Sequence, residues 1–117
     1  MKKILLTAIL IFSAMVAQAN NDITCMASDV KAFDSGKEDM FVSSKMLSDA
    51  QKAGMFKVDF NDPKYTVLLS NENTWIGHEV TPFGTITATM DFKAMVYTKQ
   101  VIIPQRNQIG FVINKCM

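Results

Sequence analysis

The sequence predicts a mainly β domain: a small antiparallel β-barrel or strongly curved meander sheet of about six or seven strands, with one short helix and termini joined by a disulfide. Three observations carry this expectation. Two cysteines, Cys25 and Cys116, stand almost at the two ends of the chain that follows an N-terminal leader. Apolar and polar residues alternate along most of the second half of the chain, at the period of two that a half-buried strand requires. Clusters of Asn, Asp, Gly and Pro interrupt this alternation at short intervals, and a single stretch has helical spacing.

The leader has the three parts of a secretory signal. Lys2 and Lys3 form a positive start, Ile4 to Val16 an apolar run, and Ala17-Gln18-Ala19 places small residues at −3 and −1 of a cleavage point after Ala19. Residues 1–19 are thus expected to be removed and residues 20–117 to form one domain, periplasmic or secreted. The apolar run is shorter than the roughly 20 residues that span a bilayer, and no second such run follows, so no membrane insertion is expected after cleavage. Cys25 follows Asp22-Ile23-Thr24 and not a Leu-small-small triplet, which argues against a lipid anchor. Loss of Lys2 and Lys3 from 12 basic residues leaves a slight acidic excess against 11 carboxylates. A near-neutral surface with scattered cations argues against nucleic acid as a partner.

Two cysteines in an oxidising compartment are expected to pair. Neither belongs to a Cys-x-x-Cys motif and there is no third, so redox and metal roles lack the residues they need. A Cys25–Cys116 bridge requires Cα atoms within about 7 Å, which makes the first and last segments neighbours and closes or nearly closes the sheet.

The elements follow in order. Ile23 to Phe33 reads as a strand around Cys25, and Asp34-Ser35-Gly36-Lys37 as a turn. The one helix is expected from an N-cap at Ser43 or Ser44 through Ala53, with Lys52 in its last turn and Gly54 as its stop. Phe56, Val58 and Phe60 then alternate with Lys57 and Asp59, Asn61-Asp62-Pro63-Lys64 has turn chemistry, and Tyr65, Val67 and Leu69 alternate again, which together predict a hairpin. After Asn71-Glu72-Asn73 comes a strand from Trp75 to Val80, ended by Thr81-Pro82-Phe83-Gly84. The run from Thr85 to Tyr97 alternates without a break and predicts one long strand, bent near Asp91. Val101 to Ile103, stopped by Pro104, is a short strand end, and Ile109 to Cys116 is the last strand.

Catalytic residue types are scarce. His78 is the single histidine, no serine stands in a Gly-x-Ser-x-Gly pattern, and no pair of carboxylates is singled out by spacing, so no enzyme is expected. The methionines, nine in the whole chain, together with Trp75-x-x-His78 offer soft ligands for Cu(I) or Ag(I), but Met90 and Met95, five apart on one strand, would face opposite ways. No cofactor is expected. In size, export and cysteine placement the chain resembles the membrane-associated and periplasmic inhibitors of c-type lysozyme, which are small exported β-barrels. It departs from their motifs: Ser35-Gly36 is followed by Lys37-Glu38-Asp39 without the tyrosine of Ser-Gly-x-x-Tyr, and Tyr97-Thr98-Lys99 is followed by Gln100 in place of glycine.

The expectation is therefore a non-enzymatic exported binding protein whose partner is another protein or a small apolar ligand. Inhibition of a lysozyme-type hydrolase and Cu(I)/Ag(I) binding are the alternatives. Trp75, His78, Phe83 and Tyr97 are the candidate contact residues, because they are large or polar-tipped and fall at turns or on the mixed face of the predicted strands.

Overall fold

A computed structural model describes residues 23–117; the expected leader and its cleavage point lie outside the described residues. The elements are β1 (Thr24–Asp34), β2 (Lys37–Glu38), α1 (Met40–Ala53), β3 (Phe56–Lys57), β4 (Thr66–Ser70), β5 (Thr74–Val80), β6 (Thr85–Asp91), β7 (Val96–Ile103), a 3-10 turn at Pro104–Arg106, and β8 (Gln108–Cys116). All strands belong to one antiparallel sheet in the order β2-β1-β8-β7-β6-β5-β4, with β3 added beside the start of β1. The expected meander is present from β4 to β8.

The sheet is open, so of the two expected forms, barrel or curved meander sheet, the barrel is not formed. The outer side of β1 is taken at one end by β3, through Thr24↔Lys57 and Cys25↔Phe56, and at the other by β2, through Phe33↔Glu38 and Asp34↔Lys37. With that edge occupied, β4 has no strand to join across the opening.

The bridge is as expected: Cys25 and Cys116 are bonded. They are directly opposite each other on β1 and β8. The flanking pair Thr24 and Met117 exchange both backbone hydrogen bonds, so the cysteines occupy the close, non-hydrogen-bonded pair, and their Cα atoms are 4.0 Å apart. The bridge thus joins neighbours within the sheet and does not form the seam of a barrel.

Two predicted elements divide differently. The Phe56 to Leu69 hairpin does not form, because Asp59 and Asp62 accept hydrogen bonds from the amides of Asn61 and Lys64 and bend the chain at both places. The segment between β3 and β4 becomes a flap whose Val58, Phe60 and Tyr65 turn onto the sheet. The long strand from Thr85 is two strands. The Asp91 carboxylate accepts from the amides of Lys93 and Ala94, and Met95 takes a φ of 56°, so the chain reverses between β6 and β7.

The helix starts earlier than expected. Its N-cap is Asp39, whose carboxylate accepts from the Val42 amide at 3.1 Å. Ser43 is instead inside the helix and buried, its hydroxyl accepting from the Ala32 amide at 2.8 Å and donating to Glu38. The stop at Gly54 is as expected, with a φ of 83° that suits glycine. Ser43 beside Ala32 and Gln51 beside Ala27 show that α1 lies antiparallel along β1.

Register assigns the faces. Trp75, Met90, Tyr97, Asn114 and Ala27 are cross-strand neighbours, and Gly77, Ala88, Lys99, Val112 and Val30 form the next row on the same face. This face carries the core, covered by α1 on the β1 side and by the flap over Trp75. The opposite face mixes threonines, among them Thr85, Thr87, Thr89 and Thr98, with apolar side chains, among them Ile76, Ile102, Ile109 and Ile113, and carries an edge-on Phe33–Phe111 pair.

Candidate functional site

The core does not extend along the whole of its face. Near the bridge, Trp75 packs edge-on against Phe60 and Tyr65 with ring centroids 5.1 and 5.6 Å away, and Met90 beneath them is fully buried. Further along the same strands, Ile86, Val101, Ile103 and Val112 are only half-buried, because the flap does not reach them. Between these residues and α1 the surface opens into an apolar groove of about 210 Å³, floored by Val101, Ile103 and Val112 and walled by Ala32, Val42 and Met46.

The helix that supplies Val42 and Met46 to this wall is unusual for one in contact with water, and its exposed apolar side chains extend beyond the groove. Met40 and Phe41 are 66% and 78% exposed, and Val42 and Met46 are also open to solvent. The cause lies in the sequence: three consecutive apolar residues spread over most of a helical turn, so one 14-residue helix lying on one strand cannot bury them all. Met40, Phe41, Val42 and Met46 are absent from the contact residues expected from sequence. The run Met40-Phe41-Val42 directly after an acidic cap was the signal that pointed to them.

The four expected contact residues do not come together. Trp75 and Tyr97 are each 3% exposed and belong to the core, so neither presents its side chain to a partner. His78 lies on the threonine face, half-buried, with its Nδ1 3.1 Å from the Thr87 hydroxyl. Phe83 is 72% exposed in the turn between β5 and β6. Trp75 and His78, three apart on one strand, face opposite sides of the sheet. Among the described residues there is no cluster of three or more His, Cys, Asp or Glu side chains placed to hold a metal ion, and no helix long and apolar enough to cross a membrane. Ser35-Gly36 makes the two-residue turn between β1 and β2, both residues at positive φ, over a separate shallow concavity that it shares with Ile102, Pro104 and Asn107.

Electrostatics mark one buried group. Burial pushes the Tyr97 phenol above its ordinary value, and the nearby Tyr65 and Asp62 oppose its ionisation further. A raised folded-state value means that the folded chain keeps a proton the unfolded chain loses. The associated stability is complete below the ordinary phenol range near pH 10 and falls as pH rises through and beyond it. Urea titrations from pH 8 to about pH 11 are expected to show a steeper alkaline loss for the wild type than for Tyr97→Phe; parallel curves would mean that Tyr97 does not contribute.

No family model, curated protein or solved structure matches this chain.

Proposed function

We propose that this chain is a non-enzymatic, exported binding domain that takes an apolar segment of a protein, or a small apolar ligand, into the groove between α1 and the β7–β8 end of the sheet. The observation that carries this reading is the groove itself, about 210 Å³ with Val101, Ile103 and Val112 as floor, beside a helix start that leaves Met40 and Phe41 open to water. Exposed apolar side chains next to a concave apolar surface are costly to keep in solution and favourable to cover. Methionine suits such a wall, because its flexible thioether adapts to ligands of different outline. The bridge and the aromatic core lie at the other end of the strands, so an occupant of the groove meets a preformed surface.

The test is native mass spectrometry of the protein isolated gently from the compartment that receives it, wild type beside Met46→Lys. The wild type is expected to carry a reproducible adduct, of protein or small-molecule mass, that Met46→Lys loses while its melting temperature stays unchanged. A bare wild-type monomer, or an adduct indifferent to Met46→Lys, would overturn the groove as the binding site.

A further inference from the structure

We infer that the threonine-bearing face of the sheet packs against the same face of a second copy of this chain, giving a two-fold dimer whose axis runs along β7. α1 and the flap both lie on the core face, so no layer covers the opposite one among the described residues. Where β6, β7 and β8 cross the middle of this face, they present threonine, glutamine, isoleucine and phenylalanine without a charge. Charged groups keep to its margins: Asp91 and Lys115 at the bridge end, and Asp29 with Lys31, 3.9 Å from each other, on β1. A charge-free centre inside a charged rim is the anatomy of a protein interface.

Side-chain size and charge select a second copy as the occupant. On this face β8 raises a ridge of Ile109, Phe111 and Ile113, while β6, two strands away, offers only the shorter Thr85, Thr87 and Thr89. β7 lies between them. A two-fold axis along β7 exchanges β6 with β8, so the ridge of each copy meets the low strand of the other, Phe111 over Thr87 at the centre. The same rotation brings Asp91 of each copy opposite Lys115 of the other, because the two flank Val96 in one cross-strand row. Both are exposed, and neither has an ion-pair partner within its own copy among the described residues. One operation thus matches size at the centre and charge at the rim.

The area is sufficient. Sheets of equal twist stack with their strands within about 30° of each other and about 10 Å apart. Five strands centred on β7, spaced about 4.8 Å and about seven residues of 3.3 Å long, give a footprint of roughly 550 Å² on each copy. The pair then covers about 1,100 Å², just past the roughly 1,000 Å² that a specific interface needs, so the dimer is a reversible one. The groove beside α1 lies on the other face and stays open in it.

Sedimentation velocity of the oxidised protein, from micromolar to millimolar concentration, tests this. A reversible monomer–dimer equilibrium is expected, and Met46→Lys, in the groove, leaves it unchanged. Thr87→Lys sets a cation against Phe111 of the other copy and is expected to weaken the dimer by about tenfold or more. Lys115→Glu, at an exposed rim position, weakens it several-fold by facing Asp91 with a like charge. Asp91→Asn keeps the side-chain acceptor that the Lys93 and Ala94 amides use, and added to Lys115→Glu it removes the repulsion and recovers association. The rim variants decide the matter if Thr87→Lys fails to fold. A monomer at every concentration, a dimer indifferent to Thr87→Lys and Lys115→Glu, or a Lys115→Glu defect that Asp91→Asn does not relieve would each overturn the proposal. So would a monomer that carries a different protein on this face and loses it in Thr87→Lys.

Discussion

Reducing the Cys25–Cys116 bridge is expected to lower the free energy of unfolding by about 2–5 kcal/mol. The bond closes a loop of 91 residues, for which loss of unfolded-state freedom alone gives on the order of 4–5 kcal/mol, and native strain and residual unfolded structure bring measured values below that. Such a loss is a large part of the stability of a domain this size, and it corresponds to a fall in melting temperature of roughly 10–30 °C. Cys25 is fully buried, so Cys25→Ser would add an unsatisfied hydroxyl to the core; the paired change Cys25→Ala with Cys116→Ala separates loss of the bond from that cost. Urea unfolding of the oxidised, reduced and double-alanine proteins should place the last two close together and well below the first. A midpoint that stays put while thiol titration shows two free cysteines would show that the bridge does not restrain the unfolded chain.

Trp75→Ala is expected to cost about 3–5 kcal/mol, the range for truncating a large buried aromatic. The indole is 3% exposed, packs edge-on against Phe60 and Tyr65, and thereby holds the flap against the sheet. Its position depends on Gly77, two residues on along the same face: a Cβ at Gly77 would collide with the six-membered ring of the indole. Gly77→Ala should therefore destabilise the wild type by about 1–3 kcal/mol through overpacking. In a Trp75→Ala background the same change should be close to neutral, because the obstruction has gone and alanine costs less backbone entropy than glycine in a strand. The four proteins form a double-mutant cycle read by denaturant unfolding. Additive effects would mean that the tryptophan and the glycine act independently, and that the indole does not lie where the fold puts it.

Where one local rule decided the structure, the sequence was legible. The strands of β5 and β8, the helix stop at Gly54 and the disulfide pairing each follow from a signal within a few residues, or from the only two cysteines present. Alternation misled where aspartates intervene. Asp91 turns what reads as one strand into β6 and β7, and Asp59 and Asp62 convert a predicted hairpin into the flap, because a carboxylate that accepts local amides competes with the ladder for them. Period two in Phe56, Val58 and Phe60 reports alternate burial, and a non-strand segment lying across a sheet produces it equally well. The contact residues were the least legible part. Trp75 and Tyr97 stand out by residue type, but size and a polar tip describe a core aromatic as well as a binding one. Met40 and Phe41 acquire meaning only once α1 is seen to lie along a single strand, too narrow a support to cover both.

The position of β1 also governs the order in which the molecule can be made. β1 is the first strand of the described chain, yet its long partner is β8, with Cys25 facing Cys116 and Asp34 facing Gln108. Until residues 108–116 are available β1 has beside it only the two-residue strands β2 and β3 and the helix, while β4 to β7 can pair in turn as a local meander. β8 then completes the meander and receives β1 in one late, long-range step. Contacts so distant in sequence slow folding, and the two thiols reach their native juxtaposition only where β1 and β8 pair.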